Sequence, residues 1–194
     1  MSGGVVYGRA GEALGSFTGD AGRGGQVSGL RGEEATAGLL DALAARKPFT
    51  VFHSVRVRGG AADIDHVLVG SRGVVLVDTK SWRAGRYVRL GPRVYRWWAH
   101  RVLPRRFRPG ESMSLARSVE QMRRAGVPVV GAVVAVWPSG AGRVRLGLMR
   151  YAGGRIMGAR RAVRVAARMA GSRGADPAVV AQVGRWVRAN RGCR

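Results

Sequence analysis

Pro128 to Trp137 is an almost wholly apolar run, broken only by Gly131. A strand of that composition belongs in a sheet covered on both faces, because a sheet with one wet face alternates polar and apolar residues. The run is far short of the ~20 residues needed to cross a bilayer, so no membrane span is expected. The N-terminus has no basic segment followed by an apolar stretch, so no secretion signal is expected and cytoplasm is the expected compartment. The one cysteine, Cys193, excludes disulfide frameworks and cysteine zinc sites within the chain.

Around that strand the pattern alternates helices and short strands. Ser28 to Lys47 has helical spacing, with Leu39, Leu40 and Leu43 as its apolar face and Pro48 as its stop. Strand-like runs follow at Thr50–Arg58, Ile64–Val69, Val74–Lys80, Arg86–Leu90 and Val94–Trp98, punctuated by Gly59-Gly60, Gly70–Gly73 and Gly91-Pro92. A helix is expected from Ser114 to Arg124, a strand over Arg143–Leu148 and a helix over Ala159–Ala170. Asp176-Pro177 reads as an N-cap followed by proline at the first helical position, opening a helix to Asn190. The order predicts an α/β fold with a central mixed sheet flanked by helices. Residues 1–27, with nine glycines, are expected as a flexible tail. Residues 28–140 are then the core and 141–194 a C-terminal strand and helical extension.

Charge narrows the partners. The 194 residues include 34 basic and 11 acidic ones, a net charge of +23. GC-rich codons account for the excess of arginine over lysine but not for the scarcity of acids. A chain this basic attracts polyanions, and nucleic acid is the commonest in cytoplasm, with an anionic membrane surface a weaker option.

The scarce acids are not scattered at random. Reading Ile64–Val69 and Val74–Lys80 as a hairpin with Ser71-Arg72 at its tip, paired positions keep a constant sum. Asp65 then faces Asp78, and Asp63 faces Lys80, so all four share one sheet face. Opposed carboxylates destabilise a sheet unless a cation lies between them. Lys80 is one of only two lysines in the chain, the other being Lys47. A compact ammonium beside a metal and a phosphate is not interchangeable with a planar guanidinium. On an exposed edge the same residues would be an ordinary cross-strand ion pair.

These residues resemble the NERD (nuclease-related) domain of the PD-(D/E)xK nuclease superfamily. Gly29-Leu30-Arg31-Gly32-Glu33 is similar to the family's G-x-x-G-E helix start, and Ile64-Asp65-His66 to its I-D-H strand. Gly73 to Lys80 resembles its G-V-x-x-[E/D]-x-K strand, and Gln121 falls where a helical glutamine is expected. The chain departs in having Arg117-Ser118 where Asn-Pro is usual, and Asp78 where Glu is more usual. The resemblance implies a restriction-endonuclease-like core and a Mg²⁺-dependent nuclease, with Mn²⁺ as a substitute ion. It implies Asp65, Asp78 and the backbone carbonyl of Thr79 as metal ligands. Glu33, Asp65, Asp78, Lys80 and Gln121 become the candidate catalytic set, hydrolysing phosphodiester bonds by metal-activated water, with DNA favoured over RNA. The rival is a non-catalytic nucleic-acid-binding protein on a degenerate nuclease fold. Helical phase places Glu33 at the edge of the leucine face and Glu34 almost opposite it.

From Thr79 to Gly110 there is no acid, while arginines alternate with Trp82, Tyr87, Tyr95, Trp97, Trp98 and Phe107. Arg83, Arg86, Arg96, Arg105, Arg106 and Arg108 are therefore expected at a nucleic-acid surface, the last three on a loop. One of Trp97 and Trp98 is expected in the core. His66 should point away from Asp65 and pack; His53 and His100 carry no readable signal.

Overall fold

Gly73–Trp82 (β4) is the centre of the computed structural model, which describes residues 3–11, 23–56, 63–98, 103–109, 113–147, 149 and 151–189. It turns back through Ser71-Arg72 from Asp63–Gly70 (β3), and the pairs Gly70↔Gly73, Val69↔Val74, Val67↔Leu76 and His66↔Val77 keep the expected constant sum. Its other edge pairs in parallel with the apolar strand Val129–Pro138 (β8). Hydrogen-bonded on both edges, β4 is buried from Gly73 to Thr79.

The remaining elements cover it. Val5–Tyr7 (β1) and Thr50–Arg56 (β2) extend the sheet on the β3 side, and Arg155–Gly158 (β10) extends it beyond β8. The order is β1-β2-β3-β4-β8-β10, with parallel and antiparallel pairs. One face packs on the helices Arg23–Ala44 (α1) and Ala159–Ala170 (α3), through Leu40, Ala44, Val75, Val77, Val133, Ala162 and Ala166. The other packs on Met113–Arg124 (α2) and Pro177–Ala189 (α4), through Leu76, Val134, Leu115, Met122 and Val183. On that second side lies a four-stranded sheet of Arg105–Phe107 (β7), Arg93–Trp97 (β6), Gly85–Leu90 (β5) and Val144–Leu146 (β9), in that order. No helix among the described residues is long and apolar enough to cross a membrane.

Several expectations change here. Residues 5–7 of the expected tail form an edge strand, since the outer edge of β2 offers them ladder partners, and α1 begins at Arg23. The boundary expected at residue 140 falls inside one layered unit: β10 pairs with β8, and α3 covers it. The loop expected at 105–108 contributes strand β7, because Phe107 packs on Trp82 and Tyr87 and aligns its neighbours with β6. Trp97 and Trp98 are both half-buried; Trp82 and Tyr87 fill the core instead.

The C-terminal helices are tied in by backbone groups as well as by side chains. Asp176 caps α4 by accepting from the Ala178 N–H at 2.8 Å. The turn N–H groups of Ser71 and Arg72 donate to the carbonyls of Gly171 and Ala170, at 3.1 and 2.7 Å, satisfying the end of α3. A β-carbon on Gly70 would fall against those same two carbonyls. Gly70→Ala should therefore lift the hairpin from α3 and cost about 1–3 kcal/mol. Urea unfolding checks this; an unchanged midpoint would show that the tip does not bear on α3.

Candidate active site

Strand alternation divides the end of β4 between two sides of the sheet. Thr79 points towards α1, where its hydroxyl donates to Thr36 Oγ1 at 3.1 Å. Thr36 in turn donates to the Gly32 carbonyl at 2.9 Å and accepts from Trp137 Nε1 at 2.8 Å. This knot pins the first half of α1 over the ends of β4 and β8. Gly32 makes the approach possible, since a β-carbon there would meet Ser81 Oγ at 2.5 Å. Glu33 follows directly and is half-buried, while Glu34 is exposed, as the helical phase requires.

Asp78 and Lys80 emerge on the other side, joined by an ion pair of 3.0 Å from Nζ to Oδ1. Asp65 reaches them because the sheet changes character at its rung. In the register of β2 with β3, Ser54 lies opposite Asp65, and Ser54 has a positive φ of 50°, the only such non-glycine among the described residues. Alternation breaks on both strands there: Phe52 and Val55 join one core cluster, and so do Val67 and Ile64. Such irregularities re-aim side chains beside functional sites. Continued one rung further, the hairpin register would aim the Thr79 N–H at the Ile64 carbonyl. Asp65 Oδ2 accepts it instead, at 2.6 Å.

The expected facing of Asp63 and Lys80 does not occur. β3–β4 pairing stops at His66↔Val77, and Asp63 pairs across β2 with Arg56, accepting from Nε at 2.8 Å and Nη2 at 3.3 Å. The guanidinium fork fits a carboxylate in two-point geometry, and Arg56 lies directly opposite Asp63. Glu33 on α1 takes the third carboxyl position instead.

Burial dominates the electrostatics of this group. It raises the Asp65 carboxyl well above the usual range, helped by Asp78 and Glu33 and opposed by Lys80 and the Thr79 N–H. It raises Asp78 as well, against Lys80. Glu33 is pushed up to about 7, by burial against the Lys80 charge, with Asp78 adding to the rise. Burial works against the Lys80 charge too, but Asp78 and Asp65 outweigh it and hold the ammonium above lysine's usual value. Tyr151 adds to the same field. It lies buried outside the stretch that carried the sequence motifs, and nothing in its glycine-rich surroundings marked it.

One atom of this cluster is left without a partner. Asp78 Oδ2 is buried with no hydrogen bond among the described residues. A buried carboxylate oxygen in that state costs free energy unless something binds it, and its position beside Asp65 fits a hard divalent cation. Among the described residues no three His, Cys, Asp or Glu side chains form a complete cage. An ion here would rest on two carboxylates, a backbone carbonyl, water and substrate, which suits Mg²⁺ better than ions that need many protein ligands.

Gln121 lies half-buried on α2, the helix that covers the same sheet side as Lys80. Arg83, Arg86, Arg105, Arg106 and Arg108 are exposed. Arg96 is not in that set: it donates from Nε and Nη2 to the Ala84 carbonyl and lies over the Trp98 ring at 4.7 Å, bracing the small sheet. His66 packs away from Asp65, fully buried, its basicity well below normal because of burial and nearby His53. Its Nδ1 lies 2.8 Å from His53 Nδ1, whose ring in turn reaches Asp41 Oδ1 from Nε2 at 2.9 Å, while His66 Nε2 is buried with no hydrogen bond among the described residues. His53 showed no sequence signal because its partners come from α1 and β3. His100 lies outside the described residues.

A family model described as the nuclease-related domain matches residues 28–136. Comparison with the curated proteins gave no match, and comparison with solved structures gave none either.

The raised Glu33 carboxyl has a consequence for the metal-free protein. A group bound more tightly to its proton when folded contributes stability that is complete below its ordinary value of 4.5 and lost as pH rises through about 7. Glu33→Gln keeps the neutral form at every pH. In EDTA the melting temperature of Glu33→Gln should match wild type near pH 5 and exceed it at pH 8. A constant difference across that range would remove Glu33 from the cluster.

Proposed function

Since the chain belongs to the nuclease-related domain family, we propose that it is a Mg²⁺-dependent nuclease that hydrolyses phosphodiester bonds, with DNA as its substrate. The supporting observation is the buried Asp78 Oδ2, unpartnered beside a second carboxyl and a lysine. Asp65, Asp78 and the Thr79 carbonyl would hold Mg²⁺, with Mn²⁺ as a substitute. The ion would supply Lewis-acid polarisation of the phosphate and a lowered pKa for water.

The side chains have distinct tasks in this reading. Lys80, with 30% of its side chain exposed, reaches the open end of the strand. From there its ammonium meets a non-bridging phosphate oxygen as negative charge builds on it. Glu33, poised near neutrality, accepts a proton from the attacking water at its carboxylate. Thr36 and Thr79 hold α1 against β4 and so keep Glu33 in reach. The exposed arginines from Arg83 to Arg108 bind flanking phosphates.

Incubation with supercoiled plasmid tests this directly. Nicking in Mg²⁺ and none in EDTA is expected. Asp65→Ala and Asp78→Ala should lose cleavage while duplex binding in EDTA is unchanged or tighter. Mg²⁺ should raise the melting temperature of wild type and not of Asp78→Ala. Lys80→Arg is the sharpest variant: an exposed ion pair would accept either cation, whereas a misplacement of ~1 Å at a reacting phosphate costs on the order of 10²-fold in rate. Near-wild-type cleavage by a folded Lys80→Arg protein would make the cluster structural and favour the non-catalytic binding protein.

A further inference from the structure

Helix α3 lies outside the residues that match the family, and its charge pattern works against itself. Its buried side is Ala159, Ala162, Val163, Ala166 and Ala170; Arg160, Arg161, Arg164 and Arg168 are exposed on the other. Arg160, Arg164 and Arg168 follow one another at four-residue spacing, where like charges repel. Arg160 and Arg161 occupy the first turn, where the helix dipole disfavours cations, with no acid in that turn and no side-chain cap. From Gln121 to Ala175 the sequence holds eleven arginines and no acid. None of these four arginines has an acidic partner among the described residues. The helix is held by its packing on the sheet and by hydrogen bonds from the hairpin tip to its last carbonyls, while its outer face carries an uncompensated row of guanidinium groups.

We propose that the exposed face of α3 is a second nucleic-acid surface, which tracks the phosphate backbone of a duplex away from the bond being cut. α3 lies on the sheet face opposite to the one on which Asp78 and Lys80 emerge, so a duplex that reaches both passes around the end of the sheet. Lys80, Val136 and Gly158 lie in one row across β4, β8 and β10, so α3 begins roughly 10 Å from the Lys80 strand position. The helix then runs back to the hairpin tip, where Arg72 and Arg173 continue the charge. From Arg160 to Arg168 it covers about 12 Å, and duplex DNA presents one charge per ~1.7 Å of axis. A bilayer fits less well: the apolar side of α3 is already spent on the sheet, leaving nothing to insert. The inference rests on the nucleic-acid reading of the fold, not on cleavage.

Fluorescence anisotropy with a duplex of about three turns, in EDTA and across a salt series, tests it. The variant Arg160→Gln, Arg164→Gln, Arg168→Gln is compared with a charge-matched one, Arg9→Gln, Arg124→Gln, Arg185→Gln, on other surfaces. The α3 variant should bind more weakly, with a log–log salt slope shallower by roughly 2–3, at ~0.9 per lost phosphate contact; the charge-matched variant should keep the wild-type slope. Equal losses in both variants would reduce the effect to net charge and overturn the proposal. So would an unchanged α3 variant, in which case the nuclease reading stands. Wild-type protein that does not bind duplex at all would sink both. Loss of binding only to phosphatidylserine vesicles would assign α3 to a membrane surface and overturn the proposal as well.

Discussion

β4 has to satisfy two demands at once, and most of the structure follows from them. It is hydrogen-bonded on both edges and covered on both faces, so its middle must be apolar. Its end must bring Asp78 and Lys80 to a place where polar groups can act. The transition occurs within one rung. Below it, valines and leucines of the two strands face one another up to the His66↔Val77 pair; above it, a carboxylate takes the place of a backbone carbonyl as acceptor for the Thr79 N–H. The positive φ of Ser54, braced by a hydroxyl hydrogen bond of 2.9 Å to the Arg9 carbonyl, marks the point on the neighbouring strand where regular alternation is given up.

The cost of that arrangement is electrostatic. Three carboxyl groups share one lysine in a largely desolvated place, and burial drives all three towards the protonated form. Stability alone would not choose this, because apolar side chains of similar volume would do as well or better. Strain and like charge kept together in this way are the usual mark of a site that waits for a ligand. The contrast with Asp63 is instructive. It lies two residues from Asp65, finds an arginine directly across the sheet, and forms an ordinary surface pair.

The two helices on one face of the sheet divide the work. α1 supplies Glu33 and is held close by glycine at position 32 and the Thr36 knot. α3 supplies no site residue, yet its buried alanines and valine complete the core on that face. On the opposite face, α2, α4 and the small sheet surround Trp82, Tyr87 and Phe107, an aromatic cluster that orients the basic strands. Basic surface thus flanks the Asp78–Lys80 end of the sheet on both sides.

The sequence by itself determined the parts of this protein that depend on local periodicity and on pairs near in the chain. The α3 bounds, the Asp176 cap and the β3–β4 register could all be read directly, because helix phase and a two-residue turn leave little freedom. Asp78 and Lys80 share a face as strand alternation requires and Glu33 follows its helical phase, whereas Asp65 comes to them beyond the last β3–β4 pair, through the break at Ser54. What only the tertiary structure decided involves partners far apart in sequence. Asp63 went to Arg56 because β2, rather than β4, faces it at that point. His53, Tyr151 and Ser54 acquired their places from elements they do not adjoin in the chain. Arg96 turned inward to the Ala84 carbonyl, and residues 155–170 joined the main sheet because β8 offered them an open edge. Long-range pairing is settled by which surfaces remain to be covered once the local elements exist, and a linear pattern of residue types does not carry that information.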